Sequence, residues 1–284
     1  MLKTNKAKVV RQSVWGRVHH PTMRTAYWVG SDGKARILPM MGGITYDFQI
    51  GDPCMGLMGD HIEPGVSTKN KELNEDIAYN HLACIGNEAV VVSGDAKGAK
   101  GYVTGKHGGI EHVMIYFDKD TLEKLCIDDN ILVKAWGQGL TLNDYPLVSV
   151  MNIDPGLLEK LDIKEKDGQL YVPVKTVVPA RLMGSGLGSA EMKSGDYDIM
   201  TRDRKAFKKY NLGSLCFGDL VFIEDHANVY GPDFKKGAGS VGVIIHGDSF
   251  LSGHGPGVTI ILTAEKDILQ PIIDPTANIA KYIK

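Results

Sequence analysis

GDLVFIEDHANVYGPDFKKGAGSVGVIIHGDSFLSGHGPG, from Gly218 to Gly257, is the stretch whose reading decides the fold. Its apolar runs Leu220–Ile223 and Val241–Ile245 are short, rich in β-branched residues and bounded by glycine, the pattern of strands joined by tight turns. On that reading Asp225 and His226 stand at the end of one strand, His246 and Asp248 at the end of the next, and His254 on the loop that follows. Imidazoles and carboxylates gathered at strand ends can hold a divalent metal or transfer protons. The intervening glycines let backbone approach a ligand closely.

The same rhythm extends outward along the chain, which has 34 glycines and 12 prolines among 284 residues. Strands are expected near residues 25–29, 35–38, 89–92, 112–117, 131–135, 171–178, 220–223, 241–246 and 258–263. Helical spacing appears only in short pieces near 119–126, 156–161, 203–210 and 276–283. Without regular strand–helix alternation, the expectation is a mainly β (α+β) protein of barrel- or sandwich-like short strands with a few short helices. A break at Gly137–Tyr145 separates an N-terminal β-rich domain with a barrel-like hairpin, residues 1–139, from a C-terminal β-rich domain, residues 140–284, packed against it.

Composition sets outer bounds. A chain of this length can bury a full core without staples, and 43% apolar with 23% charged residues is ordinary for globular proteins. A net charge of -2 argues against nucleic-acid binding driven by bulk phosphate neutralisation. Cys54, Cys84, Cys126 and Cys216 form no CxxC pair, and the N-terminus lacks a signal-like apolar region. No apolar run reaches bilayer-spanning length. The chain is therefore read as cytoplasmic, with no membrane partner, and association into a homo-oligomer is left open.

Three further clusters carry possible chemistry. Gly59–Gly65, GDHIEPG, packs Asp60, His61 and Glu63 between glycines. An extended backbone would put His61 and Glu63 on one face, as two ligands or as a ligand and a general base. Ser93–His112, SGDAKGAKGYVTGKHGGIEH, resembles locally the KOW element of small RNA-binding barrels. Its Lys97, Lys100 and Lys106, with His107, Glu111 and His112, suit an anion-binding turn. In Arg181–Asp198, RLMGSGLGSAEMKSGDYD, Ser185 and Ser189 lack the GxSxG context of a nucleophile elbow. The segment reads instead as a substrate-facing loop in which Arg181 clamps an anion and Glu191, Asp196 and Asp198 add acid groups.

GDHIEPGVS, YNHLACIGNEAVVVSGDAKGAKGYVTGKHGGIEH, MGSGLGSAEMKSGDYDIMT and GVIIHGDSFLSGHGPG together resemble a family catalogued as a domain of unknown function and frequent in archaea and thermophilic bacteria. That resemblance covers nearly the whole chain and implies no activity. Pro53–Gly65 and Gly168–Gly188 also look like segments of acetamidase/formamidase enzymes. This second likeness implies a β-rich fold and hydrolysis of a small amide. The chain has GSGLGS where those enzymes carry a GDGHxxQGDGE-type loop, so residues of Gly218–Gly257 would replace the missing histidine.

The resulting expectation is a metal-dependent hydrolase acting on a small polar substrate at a C–N bond. A divalent metal (zinc, manganese or similar) would sit on His246, Asp248 and His254. His61 and Glu63 would complete the site or act as base, with Asp225 and His226 orienting a ligand. The alternative is a non-enzymatic module binding an anionic metabolite or RNA through Lys97, Lys106, His107 and Glu111. A third possibility, an oligomeric scaffold, predicts that the histidines do not converge.

Overall fold

The computed structural model describes residues 2–23, 25–185 and 195–283. The first half contains β1 (Gln12–Val18), the hairpin β2 (Trp28–Val29) and β3 (Ala35–Arg36), β4 (Ile44–Thr45), β5 (Gly65–Lys69), α1 (Leu73–Leu82), β6 (Glu88–Val91), β7 (Lys100–His107), β8 (His112–Tyr116), α2 (Lys119–Leu122) and β9 (Asn130–Ala135). The order β1-β9-β6-β7-β8-β5 is closed by a β1–β5 pairing, which makes a six-stranded antiparallel barrel with β4 attached to β5. Closure leaves these six strands without a free edge. Val18, Val66, Val103, Ile115, Phe117, Ile131 and Val133 fill its core. Complete burial of each such apolar side chain contributes about 1.5–3 kcal/mol.

The second half contains β10 (Val148–Val150), α3 (Pro155–Lys160), β11 (Lys164–Lys166), β12 (Gln169–Val174), β13 (Thr176–Pro179), β14 (Tyr197–Asp198), α4 (Arg204–Lys209), β15 (Leu220–Ala227), β16 (Asp233–Ile244), β17 (Gly257–Ala264), β18 (Leu269–Ile273) and α5 (Ala280–Ile283). Its main sheet runs β10-β17-β16-β15-β13, with β14 also on β17; β11-β12-β18 form a second sheet. Leu220–Ile223 and the whole of β17 are buried, as continuous apolar runs require. The protein is thus mainly β, as the glycine and strand rhythm indicates.

A shared core welds the halves. Ile50, Ile85 and Met114 pack with Leu140, Val241, Ile245 and Ile261 in one cluster. At Gly105 in β7 a Cβ would overlap the Ile245 side chain, so glycine is what lets the barrel wall approach the second sheet. This is why a segment that reads as a glycine-rich turn is in fact an eight-residue strand. Nor does the sequence pattern announce β1, β5 and β18, or the ten-residue α1. Its apolar spacing is thin, and polar contacts hold it: the Tyr79 hydroxyl lies 2.6 Å from Thr68 Oγ1, and Asn80 Nδ2 donates to the Glu111 carbonyl at 3.0 Å. No helix among the described residues is long and apolar enough to cross a membrane.

Candidate metal centre

β16 ends at Ile244, which places His246 just beyond it, and the loop running to β17 carries His254. The 59–65 loop is laced to this segment by backbone bonds. His61 N–H donates to the Asp248 carbonyl at 3.2 Å, and Gly247 N–H donates to the Ile62 carbonyl at 2.9 Å. His61 takes a left-handed φ of 52° rather than the extended backbone its sequence suggested. The last residue of β7 adds His107. β14 adds the final pair: alternation along Asp196-Tyr197-Asp198 turns both carboxylates to one face, and its register pairs Asp198 with Gly257.

Two groupings result, each able to hold a cation: His61, Asp198 and His254, and His107, Asp196 and His246. In the first, His61 Nε2 lies 3.1 Å from His254 Nδ1 and 3.4 Å from Asp198 Oδ2, and His254 Nδ1 lies 2.9 Å from the same oxygen. In the second, His246 Nε2 lies 3.0 Å from Asp196 Oδ2 and 3.4 Å from Asp198 Oδ1. The His107 and His246 ring centroids are 4.3 Å apart.

Behind these groups sit the residues on the outer side of each ring. His107 Nδ1 donates to Glu63 Oε1 at 2.6 Å, which leaves Nε2 to face inward. His61 Nδ1 lies 3.1 Å from Asp60 Oδ1, without an aligned hydrogen bond. His246 Nδ1 meets the Gly247 carbonyl at 2.9 Å and the Gly257 amide at a longer 3.3 Å, so the shorter contact assigns the ring hydrogen to Nδ1. Its Nε2 turns inward. Wholly buried, that nitrogen has no aligned hydrogen-bond partner although two carboxylates face it. Carboxylate or carbonyl acceptors on the far nitrogen of an inward-facing histidine are the usual second layer of a metal site.

Electrostatics follow from burial and neighbours. Burial opposes ionisation of Asp198, but the hydrogen bonds of His246, His254 and His61 outweigh it and hold its carboxyl well below the usual range. Burial likewise disfavours a charged His246, yet Asp196 and Asp198 raise its pKa well above the ordinary value. His107 goes the other way: desolvation and the nearby His246 lower its pKa, keeping it a neutral donor to Glu63. Glu63 is enclosed by four donors, from Gly42 N–H at 2.9 Å, the Ser67 hydroxyl, His107 and His112. Burial raises its pKa, but the charge of His112 and these bonds pull it well below the carboxylate range.

The residues singled out from sequence divide accordingly. His61, His107, His246 and His254 converge. Glu63 lies behind His107 as its acceptor rather than beside His61 as a second ligand. Asp248 faces away, accepting from Thr201 Oγ1 at 2.7 Å with Arg202 at 3.4 Å; the carboxylates in the groupings are Asp196 and Asp198 instead. Asp225 and His226 are a correction. A β-bulge between Glu224 and His226 puts Asp225 at φ 56°, where it accepts from Gly237 N–H at 2.8 Å, and buries His226 against Ser240 and Tyr197, outside both groupings. Lys97 is exposed on the β6–β7 turn, whereas Lys106 is buried with Nζ 3.0 Å from Asn152 Oδ1, so the lysines do not share a nest. Glu111 faces Lys69, and Arg181 is exposed on a short 3-10 turn. Ser189 and Glu191 lie outside the described residues.

Asp-x-Asp at strand spacing was the available signal for the ligand pair Asp196 and Asp198. The chain His112 to His19, with Nε2 and Nδ1 2.7 Å apart, had none, because it depends on β1 lying beside β5.

His226 yields a pH prediction. Burial holds its pKa at about 4, against an ordinary 6.5. Its neutral ring contributes fully above pH 6.5 and that contribution is lost as pH falls to 4, about 3 kcal/mol in all. Urea midpoints of the wild type and His226→Gln, compared from pH 7 to 4.5, should therefore converge. A stability gap that stays constant over this range refutes the assignment.

No curated protein matches the chain significantly. A solved structure described as "Crystal structure of TM1086" is 47% identical, with 100% of this chain and 99% of that one covered and a TM-score of 0.96. Residues 27–159 and 160–283 match the N-terminal and C-terminal parts of one family, and the chain therefore belongs to the family described as Domain of unknown function (DUF4438).

Proposed function

We propose that the chain is a metal-dependent hydrolase of small polar substrates, acting at a C–N bond. The observation that carries the reading is the buried Nε2 of His246, which faces two carboxylates without an aligned hydrogen bond, because a dication suits a nitrogen and carboxylate oxygens so placed. Zinc, manganese or a similar ion suits the mixed imidazole and carboxylate donors. Bound there, such an ion supplies a water acidified toward neutrality. Hydrolysis would place the water's OH on the carbonyl carbon, break the C–N bond and leave the water's other proton on the departing nitrogen.

The likeness of Pro53–Gly65 and Gly168–Gly188 to acetamidase/formamidase segments is what selects the amide. The cavity over the site restricts its size and polarity. It measures about 310 Å³, roughly ten water volumes, with Trp28, Met40, Met41, Ile110 and Leu251 on its walls and His61, His107, Asp196, Asp198 and His254 at its polar end. No lysine or arginine lines it among the described residues, which favours an uncharged amide with a small apolar group.

Metal-stripped protein should lose hydrolysis of acetamide, propionamide or benzamide and regain it with zinc or manganese. His246→Ala and His254→Ala should each lower kcat/KM by roughly 100-fold or more, beyond the range typical of outer-layer partners. A native protein that is metal-free and takes up neither ion sinks the reading. Binding of anionic ligands or RNA at the Lys97 turn is the competing proposal, and it requires affinity that falls steeply with salt.

A further inference from the structure

We infer that the site holds two divalent cations together, bridged by the Asp198 carboxylate. The inference rests on the proposed metal site and extends it from one ion to a pair.

The two oxygens of Asp198 are divided between the groupings. Oδ2 faces His61 and His254, and Oδ1 faces His246. A carboxylate spread in this way spans two cations spaced about 3.5–4 Å apart, as in known two-metal sites. The donor spacings fit as well. Ligand bonds of 2.0–2.1 Å in a tetrahedral shell give donor–donor edges of roughly 3.3 Å. The first grouping has edges of 3.1, 3.4 and 2.9 Å, and His246 has edges of 3.0 and 3.4 Å to its carboxylates.

Ring orientations point to the same conclusion. His107 and His246 each turn one nitrogen outward, to Glu63 and the Gly247 carbonyl, and His61 has Asp60 beside its outer nitrogen. The other nitrogen of each ring lies among the Asp196 and Asp198 oxygens, within ligand spacing of its own grouping. One cation would occupy one grouping and leave the other's two imidazoles and carboxylate without an ion. Asp60, Glu63, Asp196 and Asp198 are all buried around the two groupings, an acidic setting for cations. The space is kept by Gly257, where a Cβ would overlap both Asp196 Oδ2 and His246 Nε2.

The test is a metal count on the full chain. Protein saturated with manganese or zinc, then dialysed, should retain two equivalents. His254→Gln and His246→Gln should each retain one, and Asp198→Asn fewer than two, with circular dichroism showing that each variant is folded. The manganese form should also give the electron paramagnetic resonance signature of a spin-coupled pair, which two isolated ions do not. One equivalent at saturation overturns the pair while leaving single-metal hydrolysis intact. No bound metal, with His246 acting only as an imidazolium between carboxylates, overturns it too. Two coupled ions with no hydrolysis of any amide would uphold the pair and reject the hydrolase.

Discussion

Glu63→Gln is expected to destabilise the protein by about 3–5 kcal/mol, the range for removing one partner of a buried charged network. The substitution keeps volume but not acceptor capacity. Four donors converge on two carboxylate oxygens, from Gly42, Ser67, His107 and His112. An amide offers one acceptor oxygen and an NH2 group, so some of these donors would face another donor inside a dry site. For a chain of this size the loss corresponds to a fall in melting temperature of about 6–20 °C.

The same change should weaken metal binding by about 10–100-fold, because His107 loses the acceptor that sets its tautomer. The sign with pH is fixed by the depressed pKa. The carboxylate's contribution is complete above the ordinary Glu value of 4.5 and is lost as pH falls well below it. The difference between wild type and variant should accordingly be flat above pH 6 and shrink in acid. Calorimetry and metal titration together check this, and a Glu63→Gln protein with wild-type melting and affinity would refute the network's role.

The second large effect is expected from Gly257→Ala. Gly257 opens β17 and pairs with Asp198, so its Cα hydrogens point at the space where Asp196 Oδ2 and His246 Nε2 meet. A methyl group there would push apart the two donors while leaving β17 paired along the rest of its length. Stability should fall by only about 1–3 kcal/mol, as for moderate overpacking. Metal affinity should fall by at least roughly 100-fold, since a first-layer displacement exceeds the 10–100-fold cost of losing an outer partner. Retention of the full metal complement by a folded G257A protein would show that the space it keeps is not the cation position.

How far the sequence carried depends on the range of the forces involved. β17 and the buried stretches of β15 and β16 were legible because burial on both faces writes a continuous apolar run, and His246 and His254 followed from where those runs stop. β7 was read as a turn, since Gly101 and Gly105 look like turn residues until Ile245 and the β8 backbone are seen packed against them. α1 was missed because the contacts that hold it are polar and long-range. At the site, His61 and His107 could be picked out by their glycine-rich settings. Asp196 and Asp198 stood out as acid groups, but that they and not Asp248 join the histidines depends on β14 lying antiparallel to β17 across a wide gap in sequence.

Each ligand grouping draws one histidine from the barrel half and a histidine–aspartate pair from the second: His61 with Asp198 and His254, His107 with Asp196 and His246. Neither half alone could assemble a complete ligand set, so a protein split between β9 and β10 would bind metal only after its pieces had reassociated. The ions would thus act as reversible rivets between the halves. At a free concentration 100 times the dissociation constant, each would add about 2.7 kcal/mol to their union, and metal supply would set how firmly the halves stay joined.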